Sequence, residues 1–226
     1  TVNSAPLANL VAASATTFCA GKNVLLKAIT GTGYTYQWKK NSVVIPNETG
    51  SNYSATTSGN YSVVVSNTSG CSASSVTIPV TVIPAPLATV AVAGALTFCE
   101  GKNVLLKAIT GNGYTYQWKR NGNNIPAQTQ ANFTALTSGI YTVAVTNAEG
   151  CTTLSAGINV NVIPAPPAFI TANGPLSFTQ GGSVELAASP ATGNTYQWKK
   201  DGVNITGETA DKYIAVASGS YSVAIT

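Results

Sequence analysis

The residues with the most chemistry open to them are four cysteines, Cys19, Cys71, Cys99 and Cys151. Cys19 and Cys71 are 52 residues apart, as are Cys99 and Cys151, and the second pair follows the first by 80 residues. A thiol can act as a nucleophile, ligate a soft metal or close a disulfide. The chain has no histidine, which removes Ser-His-Asp and Cys-His catalysis and every His-based metal site from these residues. No cysteine has a C-x-x-C neighbour, so a zinc site would have to gather all four thiols from two halves of the chain. Disulfides in an oxidising compartment fit the pattern better. The simplest connectivity, Cys19 to Cys71, would close a loop worth about 4 kcal/mol on the chain-entropy model.

Little else in the sequence could do chemistry. The acids Glu48, Glu100, Glu149, Glu185, Asp201, Glu208 and Asp211 do not recur at equivalent places, and no calcium-loop spacing is present. Glu208 and Asp211 could form a carboxylate pair, but a solvated turn accounts for them. The "GTG", "GNG" and "ATG" stretches precede no Walker lysine and no G-x-G-x-x-G, which leaves them as loop glycines. The net charge of +4 is spread evenly, with no basic block to track nucleic acid. Rows such as Lys22, Lys27 and Lys39, repeated at Lys102, Lys107 and Lys119, suit protection of sheet edges. Sequons at Asn47, Asn52, Asn60, Asn67, Asn132 and Asn204 are expected by chance in so Asn/Thr/Ser-rich a chain. No cofactor or metal is implied.

The elements that must position the cysteines repeat with the same 80-residue period. "YQWK" occurs three times, at Trp38, Trp118 and Trp198, and each tryptophan is followed 23 residues later by a tyrosine: Tyr61, Tyr141 and Tyr221. Residues 18–39 differ from 98–119 only at Ala20/Glu100 and Thr32/Asn112, as expected of recent duplication. The 226 residues are therefore an array of small units. Charged residues make up only 8%, against about 25% in typical domains, and Thr, Ser, Asn and Gly fill the surface positions, a composition suited to life outside the cell. Short segments alternate in period two: Val24, Leu26 and Ala28 share a face; Tyr34, Tyr36 and Trp38 another; Tyr61, Val63 and Val65 a third; Val76, Ile78, Val80 and Val82 a fourth. About seven strands per unit, each with one apolar face, predict an all-β, two-sheet sandwich. Sheet aromatics could bind sugar, but Tyr36 and Trp38 share inward parity with Leu26 and Val63, leaving Tyr34 and Tyr114 as the surface candidates.

"GKNVLLKA", "YQWKKN" and "TSGNYSVVVSNTSG" resemble strands B, C and F of an immunoglobulin-like domain, with the strand C tryptophan and the S-G-x-Y tyrosine corner as core signature. The pattern, with "FC-x-GKNVLL" early and "GC" after strand F, is similar to the Ig-like repeats of large secreted and surface proteins of Bacteroidota. One departure stands out. The positions of the antibody-type core disulfide are Ala28 and Val63, Ala108 and Val143, Ala188 and Val223, so the cysteines serve elsewhere.

Under that topology Cys19 lies before strand B, at the opposite end of the sandwich from Cys71 after the F–G turn. A strand spans roughly 20 Å, beyond the roughly 7 Å Cα separation that a disulfide tolerates. In an end-to-end array the F–G turn of one repeat faces the A–B turn of the preceding one. The resemblance therefore favours an inter-repeat Cys19–Cys151 bond over Cys19–Cys71, with Cys71 and Cys99 paired to repeats outside this sequence. Thr179 stands where the period calls for a further cysteine, so one partner is missing.

The linkers "VIPAPLA" and "VIPAPPA" restrict the chain to extended geometry. The expected organisation is the end of a preceding linker (1–6), Ig-like repeats at 7–84 and 85–164, and a third repeat at 165–226 truncated before its last strand, so that both ends read as cuts through a longer polypeptide. The expected function is a non-enzymatic stalk or filament segment of a large bacterial surface or secreted protein, serving adhesion or gliding-type surface contact. The alternative is an accessory carbohydrate-binding or spacer module of an extracellular polysaccharide-degrading enzyme. Expected partners are neighbouring repeats, with surface polysaccharide or other copies of the chain as further candidates. Neither nucleic-acid binding nor membrane insertion is expected.

Overall fold

The computed structural model describes residues 4–189 and 193–226. Residues 1–3 of the expected preceding linker, and Ala191 and Thr192 of the "ATG" loop, lie outside the described residues. Every described element is a β-strand. Over the first repeat the strands are β1 (Leu10–Ala12), β2 (Thr17–Cys19), β3 (Val24–Ala28), β4 (Thr35–Lys40), β5 (Val43–Val44), β6 (Asn52–Ala55), β7 (Gly59–Ser66), β8 (Ser72–Ser74) and β9 (Ile78–Ile83). They form two sheets, ordered β1-β3-β6 and β2-β9-β7-β4-β5, with β8 also on β7. All pairs are antiparallel except β2 with β9. This is an immunoglobulin-like sandwich.

Alternation explains the core. In β3 Val24, Leu26 and Ala28 are buried while Leu25 and Lys27 are exposed, and β7 buries Tyr61, Val63 and Val65 completely. Trp38, opposite Val63, is fully buried, and its indole Nε1–H donates to the Gly50 carbonyl at 2.8 Å. Tyr53 bridges Trp38 and Tyr61, with ring centroids 5.4 and 5.5 Å away. Each large side chain so buried contributes about 1.5–3 kcal/mol, which replaces the absent core disulfide at Ala28 and Val63. The corner tyrosine hydroxyl of Tyr61 donates to the Thr57 carbonyl at 2.9 Å.

Three features differ from the sequence expectation. The first repeat has nine strands rather than about seven, because its first and last strands are each broken in two. Val76, expected to face inward, is exposed in that break. There Ser75 N–H donates to the Val63 carbonyl, and Ser75 Oγ accepts from Val63 N–H at 3.0 Å, a side chain standing in for a backbone acceptor. Tyr34 is half-buried against the core, its ring lying over Gly31 so closely that a Cβ there would meet it at 2.7 Å.

The chain divides into two compact units: Thr1–Gly94, Val104–Ala135 and Gly139–Val160 in one, Ala95–Asn103, Leu136–Ser138 and Asn161–Thr226 in the other. The first unit holds the first repeat and most of the second. The second repeat runs β10 (Val90–Ala93), β11 (Thr97–Cys99), β12 (Val104–Ala108), β13 (Thr115–Arg120), β14 (Asn123–Asn124), β15 (Asn132–Ala135), β16 (Gly139–Thr146), β17 (Thr152–Leu154) and β18 (Ile158–Ile163), with the pairings of the first. Trp118 and Val143 are fully buried in the first unit. Within the second unit, Thr97–Cys99 run parallel to Asn161–Ile163.

The second unit also contains the third repeat: β19 (Ile170–Asn173), β20 (Val184–Ala188), β21 (Tyr196–Lys200), β22 (Val203–Asn204), β23 (Lys212–Ala215) and β24 (Tyr221–Ile225). Its sheets are β19-β20-β23 and β22-β21-β24. Trp198 is fully buried and donates to the Ala210 carbonyl at 2.9 Å, and Tyr221 donates to that of Ala217 at 2.7 Å.

Candidate functional site at the first repeat junction

Within the first unit, Cys19 is bonded to Cys151 across 132 residues, with a Cα–Cα distance of 5.5 Å. Two strands carry Cys19 to that place. β2 runs parallel to β9 in the register Thr17↔Thr81, Phe18↔Val82, Cys19↔Ile83, and Ala20 N–H donates to the Ile83 carbonyl at 2.8 Å. Cys19 thus ends beside the last residue of β9, where the chain enters Pro84. The turn beyond is closed by Lys22 N–H on the Cys19 carbonyl, with Gly21 at φ 85°. That left-handed position suits glycine.

Cys151 is presented by the turn between β16 and β17. Asn147 organises that turn: its Oδ1 accepts from Cys151 N–H at 2.8 Å, and its Nδ2 donates to the Pro84 carbonyl of the linker at 3.2 Å. One amide therefore ties the turn to the linker, and Cys151 beside it is only 1% exposed. The same device stands one period earlier, where Asn67 accepts from Cys71 N–H and donates to the Ser4 carbonyl, both at 3.0 Å. The linker prolines Pro6 and Pro86 are buried. In the second unit the linker carries a further bond, Glu100 Oε2 accepting from Ala165 N–H at 3.2 Å. Sequence reasoning missed Asn67 and Asn147; their signal was an asparagine four residues before each "GC" cysteine.

The other expected residues divide. Cys99 is an exposed thiol in the second unit and Cys71 is half-buried at the turn after β7. Trp38, Trp118, Trp198, Tyr61 and Tyr141 are core, whereas Tyr221 is half-buried. Gln37, whose parity in β4 is opposite to that of the inward Tyr36 and Trp38, is nevertheless half-buried, and its Nε2 donates to the Ile45 carbonyl at 2.8 Å, stapling the chain after β5 to β4. Gln117 and Gln197 repeat this bond at 2.9 Å. Among the described residues no group of three or more His, Cys, Asp or Glu is placed to hold a metal ion. Glu208 is half-buried and Asp211 exposed, and their carbonyls accept from Trp198 and Ala188 N–H, a structural turn.

The electrostatics are quiet. Burial raises the hydroxyl pKa of Tyr53 above the ordinary value, and Tyr61 and Glu48 add to the rise. Tyr213 is raised for the same leading reason, with Tyr221 and Glu208 contributing. Glu185 is lowered, chiefly by the hydrogen bond from Asn173 at 2.7 Å and then by Lys212 at 3.1 Å. No helix among the described residues is long and apolar enough to cross a membrane. What the junction can do chemically is hold two segments together covalently and release them on reduction.

No family model matches the chain, and no curated protein matches it. Among solved structures it is similar to a three-domain I-band fragment of titin at 14% identity, over 99% of this chain and 88% of that one, TM-score 0.42. It is also similar to a four-domain ectodomain fragment of ICAM-5, at 13% identity over 96% and 74%, TM-score 0.39. A third is the fibronectin(III)-like modules of Clostridium thermocellum CbhA, at 14% identity over 68% and 95%, TM-score 0.33. These are likenesses of fold.

Proposed function

We propose that the chain is a structural stalk or filament segment of a large bacterial cell-surface or secreted protein, acting outside the cell in adhesion or gliding-type contact and without catalysis. Its domains are the repeats 7–84, 85–164 and 165–226. The observation that carries this reading is the Cys19–Cys151 bond. Tension pulling on the two ends of the chain passes from residue 19 to residue 151 through the sulfurs. The interval between them, with the cores of Trp38 and Trp118, bears no load while the bond stands. A catalytic or ligand-presenting module needs no such bypass, whereas a tether under force does. By the same period, Cys99 and Cys71 pair with cysteines of neighbouring repeats, which makes the staple a repeating one. Surface polysaccharide or further copies of the chain are the contacts such a stalk would make.

Single-molecule pulling on the ends, with and without reductant, tests the reading. A separation of 132 residues holds a hidden length of roughly 450 Å at about 3.3–3.6 Å per residue. That length should appear only after reduction. Its release from oxidised chains would remove the mechanical argument.

A further inference from the structure

We propose that Asn147 is the positioning residue of the Cys19–Cys151 couple: it holds Cys151 to the linker beside Cys19 whether or not the sulfurs are bonded, so that an opened staple recloses. The inference rests on the bond itself and not on the load it carries. A path that uses no sulfur joins the two cysteines. Cys151 N–H donates to Asn147 Oδ1 at 2.8 Å, and Asn147 Nδ2 donates to the Pro84 carbonyl at 3.2 Å. The carbonyl of Ile83, the residue before Pro84, accepts from Ala20 N–H at 2.8 Å, and Ile83 is in register with Cys19. These three hydrogen bonds hold the segments at the separation the disulfide needs, a Cα–Cα distance of 5.5 Å.

The same turn stands one period earlier around a thiol. Asn67 N–H donates to the Cys71 carbonyl, Cys71 N–H to Asn67 Oδ1, and Asn67 Nδ2 to the Ser4 carbonyl, all at 3.0 Å, and Cys71 is in the thiol state. A clamp that forms there without a disulfide does not depend on one at Asn147. Burial then decides where a small thiol such as glutathione enters. Cys151 is 1% exposed and Cys19 half-buried, so the attack falls on Cys19 Sγ. The glutathione thiolate bonds to that sulfur, the Cys19–Cys151 bond breaks, and Cys151 leaves as a thiolate that takes up a proton. Reclosure is the reverse: Cys151, still held by Asn147, loses its proton and attacks Cys19 Sγ, and glutathione leaves as the thiolate and takes that proton. Fixing the two reacting sulfurs in place gives this step the advantage of an intramolecular reaction.

The whole chain and its Asn147→Ala and Asn67→Ala variants would be equilibrated in glutathione redox buffers, quenched with acid and alkylated. Mass spectrometry would then quantify the peptide linked through Cys19 and Cys151. The thiol–disulfide equilibrium constant of Asn147→Ala should fall at least about tenfold, because two hydrogen bonds no longer hold the reduced junction together. Asn67→Ala, which strips the same bonds from the Cys71 turn, should match the parent chain. Asn147→Asp keeps the acceptor for Cys151 N–H and loses the N–H to Pro84; its constant should fall too, and it reads the position if the alanine chain does not fold. Trapped intermediates should carry glutathione on Cys19. An unchanged constant in either Asn147 variant, an equal fall in Asn67→Ala, or glutathione on Cys151 would overturn the proposal. The constant is read without force, so failure of the mechanical reading leaves it unmoved.

Discussion

Residues 59–65, GNYSVVV, and 219–225, GSYSVAI, are almost the same strand, yet they end in different states. In the first repeat the strand begins at Gly59, and Tyr61, Val63 and Val65 are fully buried. In the third it begins only at Tyr221, and Tyr221, Val223 and Ile225 are half-buried. The residues cannot account for this. The first is flanked by β8 at Val64–Ser66 and by β9 at Gly59–Tyr61, whereas among the described residues no strand takes either place beside β24. Part of a sandwich core is thus conferred by neighbouring strands, because burial measures what lies against a side chain rather than what the side chain is.

The comparison can be tested with four perturbations in decreasing order of size. Reducing Cys19–Cys151, or replacing both cysteines by serine, should cost the first unit about 5 kcal/mol on the chain-entropy model and leave the melting of the third repeat unmoved. Differential scanning calorimetry with and without reductant resolves the two. Next, Val63→Ala should cost about 2 kcal/mol, while Val223→Ala should cost less than about half of that, since its site is already open. Equal losses by chemical denaturation would mean that β8 and β9 add nothing to the packing around Val63.

Ser75→Ala removes the side-chain acceptor for Val63 N–H and should cost about 1 kcal/mol; the same change at Ser155, which accepts from Val143 N–H at 3.0 Å, should match it. The smallest effect is in pH. Because Tyr53 has a raised pKa in the folded state, the unfolded chain ionises there first. Its contribution is whole below the unfolded value near 10 and is lost as pH rises through the folded value. Tyr53→Phe should flatten that alkaline decline. Phe133 already occupies the equivalent place in the second repeat, stacked on Trp118 at 5.3 Å.

Much of this was legible in one dimension. The period, the strand alternation, and the tryptophan and tyrosine positions follow from residue type and spacing, because a strand side chain has only two faces to choose from. Val76 misled for the same reason: its parity is right, but Ser75 captures the Val63 backbone and breaks the strand, and alternation does not survive a break. Gln37 misled because an outward amide can still be captured by a neighbouring loop. Asn147 stayed hidden because its two partners, Cys151 and Pro84, are 4 and 63 residues away.

The sequence by itself determined that this is an all-β array of near-identical sandwich repeats with paired cysteines and no histidine chemistry. Only the tertiary structure decided which cysteine Cys19 meets and which asparagine grips the linker. Spacing constrains local alternation, but those two outcomes depend on where segments tens of residues apart come to lie, and only the folded backbone fixes that distance.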